Sequence, residues 1–188
     1  MEFINTGELK YSMAEEMIEV IDHKGNIVRV APRSEVHGDP SLMHRVVHVL
    51  VFNSSGKLVL QQRSMNKDVA PGKWDTSVGG HVDPGELLEK AALREMEEEL
   101  GIISELEFLY SYIHSNDYET EQVHTFRCTH DGPLTYNREE IDDIRPWSIN
   151  EIREALGKGT LSDNFEHEFK RYLGEASGEQ LPVQPHDR

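Results

Sequence analysis

The sequence predicts an α+β fold, a mixed β-sheet held between helices. Three observations lead there. Alternating apolar segments, set off by turn residues, come as hairpins in the N-terminal part. One long amphipathic helix ends on a glycine, and two further helical segments close the chain. Strands and helices therefore alternate irregularly, which suits a mixed sheet rather than a regular parallel one.

Residues 1–13 show no periodicity and are expected to form a flexible N-terminus. EEMIEVIDHKGNIVRVAP reads as a hairpin, Met17–Asp22 and Ile27–Val30, turned at His23–Asn26. From His44 to Phe52 the valines 47, 49 and 51 share one face, NSSGK turns the chain, and Leu58–Arg63 returns as a second strand. Ser64–Gly85 is loop-rich, and its Pro71-Gly72 and Gly79-Gly80 pairs let backbone come close to a ligand. Trp74 reads as a packing residue beneath that loop. Glu86 is expected to open the long helix and Gly101 to close it. Leu106–Ile113 and Glu119–Thr129 read as strands, His130-Asp131-Gly132-Pro133 as a break, and about Ile149–Leu156 and Ser162–Leu173 as helices. From residue 175 onward the chain is polar and proline-bearing and is expected to be a disordered tail, leaving one domain over 14–174.

Composition narrows the function. With 35 acidic and 19 basic residues the net charge is −16, which repels nucleic-acid backbones and anionic membranes. An anionic substrate must be met by metal and by local basic residues. The single cysteine, Cys128, excludes an intrachain disulfide and fits a reducing compartment. The N-terminus has neither a basic start nor an apolar run, so the chain is expected to be cytoplasmic, as a monomer or homodimer.

The chemistry concentrates in GHVDPGELLEKAALREMEEELGI, residues 80–102. On a helical wheel Leu88, Ala92, Met96 and Leu100 form an apolar stripe, and Glu99 falls roughly 20° from Leu88, inside it. Glu95 sits on the stripe's edge. A solvated acidic helix keeps its glutamates opposite its leucines, because an unpaired buried carboxylate is costly. Glu95, Glu98 and Glu99 can reach a common point at i, i+3 and i+4. Hard oxygen ligands so grouped suit Mg²⁺ or Mn²⁺, which would also relieve their repulsion.

The same stretch resembles the Nudix box, Gly-x5-Glu-x7-Arg-Glu-apolar-x-Glu-Glu-x-Gly-apolar. Gly80, Glu86, Arg94, Glu95, Met96, Glu98, Glu99, Gly101 and Ile102 fill it in order. Seven fixed residues would coincide by chance in about one register in 10⁸. The resemblance implies an α/β/α sandwich, the Nudix fold, binding divalent metal through Glu95, Glu98, Glu99 and the carbonyl of Gly79. Glu86 and Arg94 would hold those ligands in place.

Over roughly residues 17–130 the chain also resembles the type I isopentenyl diphosphate isomerases of the same superfamily. His37 and His44 repeat their His-x6-His, His81 their third histidine, and Glu119 and Glu121 their Glu-x-Glu. That resemblance implies a second metal site, and Arg33, Arg63 and Lys67 match positions that hold the diphosphate. His23, His48, His114, His124, His130, His167 and His186 read as ordinary hydrogen-bonded or surface residues. Two departures matter. Where the isomerases carry Ser-Val-Cys-Gly-His, this chain has Ser77-Val78-Gly79-Gly80-His81, so a principal acid–base group of allylic proton transfer is missing. The isomerase box is degenerate, whereas Glu95 and Glu98 are present here.

The expected function is therefore a metal-dependent pyrophosphohydrolase acting on a small-molecule diphosphate, such as a nucleoside diphosphate, linked to another group X. Mg²⁺ or Mn²⁺ is the expected cofactor, Arg94 supports the catalytic carboxylates, and Glu95 or Glu121 is the general base. An isomerase, or a catalytically idle ligand-sensing domain, are the alternatives.

Overall fold

The computed structural model describes residues 15–174. The expected N-terminal lead-in (1–13) and tail (175–188) lie outside the described residues. In chain order the elements are β1 (Met17–Ile21), β2 (Ile27–Pro32), α1 (Arg33–Val36), β3 (His44–Phe52), β4 (Leu58–Arg63), β5 (Trp74–Asp75), β6 (Val78–His81), α2 (Leu88–Leu100), β7 (Glu107–Ser115), β8 (Thr120–Thr129), β9 (Ile141–Trp147), α3 (Ile149–Ala155) and α4 (Asp163–Tyr172).

β3 is the hub of a mixed, unclosed sheet. β8 runs parallel to it over its whole length, from His44↔Glu121 to Phe52↔Thr129. Its other edge is shared by β1 at the start, β6 in the middle and β4 at the end, all antiparallel. The β1–β2 hairpin forms as the sequence predicts. Its turn is closed by the Asp22 carboxylate, which accepts the backbone N–H groups of Lys24 and Asn26 at 2.8 and 2.9 Å.

The alternation of β3 sorts the core into two layers. Val47, Val49 and Val51 face α2 and pack with Ala91, Ala92, Met96 and Leu100. Leu50 faces the other way, toward Trp74, Trp147, Ile152, Phe165 and Phe169 on or beside α3 and α4. Each buried phenylalanine there contributes about 1.5–3 kcal/mol, so α4 is held firmly over the sheet. The result is the expected sheet between helices.

Five elements differ from the sequence reading. α2 starts at Leu88, not Glu86, because Pro84-Gly85 makes a turn in which the Glu86 N–H bonds to the Asp83 carbonyl at 2.9 Å. It ends as expected, with Gly101 in the left-handed region at φ 65°. The loop-rich stretch Ser64–Gly85 contains β5, which pairs with β4, and β6, whose glycines are poor strand formers but are held by pairing with β3. β9 has no strand signal in the sequence, since Asp142, Asp143 and Pro146 obscure it. It pairs with β4 alone, and an edge is where proline is tolerated in a sheet. The short helix α1 carries no side-chain cap and too little pattern to be legible. Trp74 is the packing residue expected, edge-on to Trp147 at 5.3 Å with the Arg145 guanidinium over both rings.

Candidate active site

β6 is a narrow rib with a different cluster on each side. Gly80 pairs with Val47 and faces α2, while His81 pairs with Val46 and faces the opposite layer. Both clusters open into one cavity of about 840 Å³.

On the α2 side, Glu99 is 9% exposed and accepts hydrogen bonds from Gln61 Nε2 (3.0 Å) and the Gly79 N–H (3.3 Å). Burial, reinforced by the nearby Glu95 carboxylate, pushes Glu99 up to about 8. Burial also raises Glu95. Arg94 ties the group together. It donates to both Glu86 oxygens at 3.1 and 2.8 Å, to Glu95 Oε1 at 2.6 Å, to Glu98 Oε2 at 3.4 Å and to the His81 carbonyl at 3.0 Å. Its guanidinium is held charged first by the hydrogen bonds to Glu86. Carboxylates that resist ionisation beside one another gain most from a divalent cation. Leu88 in the predicted stripe is only partly buried, while Ala91 joins the buried set.

On the other side, His37, His44 and His81 bring ligand nitrogens within 4.8 Å of one another. His37 Nε2 and His81 Nε2 are 3.0 Å apart. His81 Nδ1 lies 2.7 Å from Glu16 Oε1, and donating to that oxygen leaves a lone pair on Nε2. His37 Nδ1, His44 Nε2 and Glu119 Oε2 are buried with no hydrogen-bond partner. Glu119 Oε2 stands 3.5 Å from His37 Nδ1. Burial, then repulsion from His81, lowers His37 to about 4 and His44 to about 3, so both are neutral at physiological pH, the form in which imidazole can bind a metal. Burial, then Glu121, raises Glu119 to about 7. This imidazole and carboxylate set fits Mn²⁺, Fe²⁺ or Zn²⁺. Glu121 is placed opposite His44 in register, but its oxygen accepts from Asn164 Nδ2 at 2.8 Å.

The three predicted diphosphate-binding cations all line the cavity. Each also has an acidic neighbour: Arg33 has Glu16 (3.6 Å) and Asp68 (3.3 Å), Arg63 has Asp75 (3.5 Å), and Lys67 has Glu140 (2.8 Å). Cys128 is elsewhere. It is buried in β8 with its sulfur 3.9 Å from that of Met96, and burial pushes the thiol up to about 11.

Several cavity residues carried no sequence signal. His48, read as an ordinary histidine, lines the cavity, and its Nδ1 is 3.1 Å from Glu168 Oε2 on α4. Burial opposes its charge, yet the Glu168 carboxylate outweighs burial and raises it to about 9. Asn164 bridges two strands, accepting from the Tyr112 hydroxyl at 3.0 Å while donating to Glu121. Gln61 and Glu16 act on Glu99 and His81 from distant parts of the chain. The one available hint was the alternation that sets His48 on the same face as His44.

A family model described as the NUDIX domain matches residues 42–169. The chain belongs to the Nudix family. Both isomerases and hydrolases by name are among its relatives. An isopentenyl-diphosphate Delta-isomerase of Streptomyces avermitilis is 31% identical over 156 residues, covering 79% of each chain. An uncharacterized Nudix hydrolase of Yersinia pestis is 33% identical over 141 residues, covering 72% of this chain and 74% of that one. Solved Nudix structures share the fold. A MutT protein from Methanosarcina mazei superposes with a TM-score of 0.63 at 26% identity, covering 73% of this chain and 96% of that one. A Deinococcus radiodurans protein gives 0.72 at 23% identity, covering 83% and 98%. No helix among the described residues is long and apolar enough to cross a membrane.

Proposed function

We propose that this Nudix chain is a divalent-metal-dependent pyrophosphohydrolase that cleaves a diphosphate, such as a nucleoside diphosphate, linked to another group. The observation that carries this reading is the convergence of Glu95, Glu98 and Glu99 with Arg33, Arg63 and Lys67 on one cavity. Negative groups that attract a metal and positive groups that attract a diphosphate line the same cavity.

In this reading Glu95, Glu98, Glu99 and the Gly79 carbonyl hold Mg²⁺ or Mn²⁺, which when bound polarises the diphosphate and acidifies an attacking water. Arg33, Arg63 and Lys67 orient the diphosphate, exchanging their acidic neighbours for phosphate oxygens. Arg94 fixes Glu95 and Glu98 without touching substrate. The water's proton goes to Glu95 or to Glu121, both cavity-lining carboxyls that burial makes more basic than usual. His37, His44, His81, Glu119 and Glu121 are a second metal site beside the first. Isomerisation is disfavoured, because Gly79 stands where the isomerases carry their cysteine and Cys128 is buried against Met96.

A screen of diphosphate compounds with Mg²⁺ and with Mn²⁺, scoring release of phosphate or monophosphate, tests the assignment. Turnover of at least one compound, lost on removal of metal, is expected. Hydrolysis of none would overturn it.

A further inference from the structure

With the diphosphate placed between the carboxylates and the three cations, the organic half of the substrate must occupy the rest of the cavity. Its wall there is built from the end of β7 and the start of α4: His114, Asn116, Ser162, Asp163 and Asn164. This wall is polar apart from Leu161 beside it, and the Ser162 hydroxyl is spent inside the fold, donating to Asp75 Oδ1 at 2.8 Å and accepting the Phe165 N–H at 3.0 Å. Among the described lining residues of the whole cavity the apolar side chains are Val46, Val69, Ala70 and Leu161, and none is Phe, Tyr or Trp. The only rings are imidazoles.

Two kinds of organic half fit such a wall badly. A branched alkenyl chain would strip water from the Asn116 NH₂, the Asp163 carboxylate and the remaining hydrogen-bonding capacity of Asn164 and put nothing in its place, while Leu161 is the one apolar residue among the described residues of this wall. A nucleobase gains about 1–3 kcal/mol from stacking on an aromatic face, and the described lining residues offer no such platform of Phe, Tyr or Trp. Asp163 further disfavours a second phosphate at this end.

A hydroxyl-bearing ring fits it well. Hydroxyls both donate and accept, and so do the groups here. Asn164 is pinned at both ends by Tyr112 and Glu121, so it is presented in one orientation. The Asn116 side-chain oxygen accepts the N–H groups of Tyr118 and Glu119 at 2.7 and 2.9 Å, which commits that oxygen and leaves its NH₂ as the free donor. His114 is held with its Nδ1 3.5 Å from His167 Nδ1. Fixed polar groups of this kind set specificity, because an analogue lacking the matching hydroxyls leaves them unpaired.

We propose that the organic half of the substrate is a sugar, read through its hydroxyls by His114, Asn116 and Asn164, and that neither an isoprenyl chain nor a base is recognised. This rests on the hydrolase reading for where the diphosphate lies. The chain's kinship with isopentenyl diphosphate isomerases then reflects a shared scaffold and not a shared substrate.

The test is calorimetric titration of the full chain with ribose 5-diphosphate, isopentenyl diphosphate and ADP in Ca²⁺, with Mg²⁺-supported hydrolysis followed in parallel. Ribose 5-diphosphate should bind, isopentenyl diphosphate at least about tenfold more weakly, and ADP within about threefold of ribose 5-diphosphate because the base adds nothing. Isopentenyl diphosphate within that tenfold, ADP tighter than that threefold, or no binding of ribose 5-diphosphate would each overturn the proposal. The binding preference without any hydrolysis would overturn the hydrolase reading and leave the recognition wall standing. His114→Leu should weaken ribose 5-diphosphate about tenfold and leave isopentenyl diphosphate unchanged, while His114→Gln, which keeps a donor and an acceptor, should restore most of the loss. Equal weakening of both ligands would show a structural role for His114 and remove it from the wall.

Discussion

The Glu95 carboxyl group lies against the bare α-carbon of Gly80, and a Cβ there would run into its carbon and both oxygens. Gly80 has no positive φ, so the requirement for glycine is space and not backbone conformation. Gly80→Ala should therefore push Glu95 aside while β6 keeps its pairing. Displacement of a catalytic group by about an ångström costs on the order of 100-fold in rate. Steady-state hydrolysis with thermal melting checks this. Undiminished kcat would mean that Glu95 does not act from this position.

Glu98→Gln and Glu99→Gln should each abolish hydrolysis and leave the fold intact, since each removes a negative ligand at constant size. A double variant that turned over like wild type would sink the assignment. Glu99 also carries a pH signature. Its ordinary value is 4.5 and burial raises it to about 8, so the folded state favours the protonated form. The stability it contributes is complete below about 4.5 and is lost as pH rises through about 8. In EDTA, Glu99→Gln should gain on wild type over that window by at least about 1 kcal/mol, since each tenfold change in proton affinity between the folded and unfolded chain corresponds to about 1.4 kcal/mol. Urea unfolding across pH reads it out.

The carboxylate side of this site was legible because helical spacing puts three glutamates beside an apolar stripe, and Gly101 ends the helix where it must. The imidazole side was legible only through resemblance, since His37 lies after α1, His44 opens β3 and His81 ends β6, and nothing local joins them. Gln61, His48, Asn164 and Glu168 were illegible for a physical reason. Each acquires its role from a partner far along the chain, as His48 does from Glu168 on α4, the last element in sequence. β9 failed for the opposite reason, because its local composition argues against the strand that pairing with β4 imposes.

If His37, His44 and His81 with Glu119 and Glu121 form a metal site, purified protein should hold about one transition metal through dialysis. His37→Ala with His81→Ala should release it. Elemental analysis with Mg²⁺-supported hydrolysis separates the cases. No bound metal returns the histidines to an ordinary role. Metal lost with activity lost places the site in the mechanism. The expected outcome is metal lost with activity retained, because in the proposed reading Glu95, Glu98 and Glu99 form a sufficient hydrolytic centre by themselves.

The chain should not interconvert isopentenyl and dimethylallyl diphosphates, and Gly79→Cys should not confer that reaction. A Cβ at Gly79 would meet His48 Cδ2 at 3.2 Å, with His48 Nε2 and Thr76 Cγ2 both at 3.4 Å. The imidazole crowds the room a thiol needs, and overpacking of this kind costs about 1–3 kcal/mol. Exchange of allylic protons with heavy water, followed by NMR, is the measurement. Enzyme-dependent exchange in the wild type would show that another group had assumed the thiol's part.

His48 and Glu168 test how α4 is fastened over the cavity. Glu168 is fully buried and accepts from His48 and from the Thr125 hydroxyl at 2.7 Å. His48→Ala leaves that carboxylate without its cation, and breaking a buried pair costs about 3 kcal/mol. In a Glu168→Gln background the same substitution should cost much less, since no charge is then stranded. The pH dependence has a definite sign. His48 titrates at about 9 in the folded state against an ordinary 6.5, so its contribution is complete below 6.5 and lost as pH rises through about 9. The gap in stability between wild type and His48→Ala should therefore narrow above that pH. A double-mutant cycle by urea unfolding, run on either side of the transition, decides the matter. A gap that is flat with pH and unchanged by Glu168→Gln would mean that packing of Phe165 and Phe169 alone holds the helix, and that the ion pair only accompanies it.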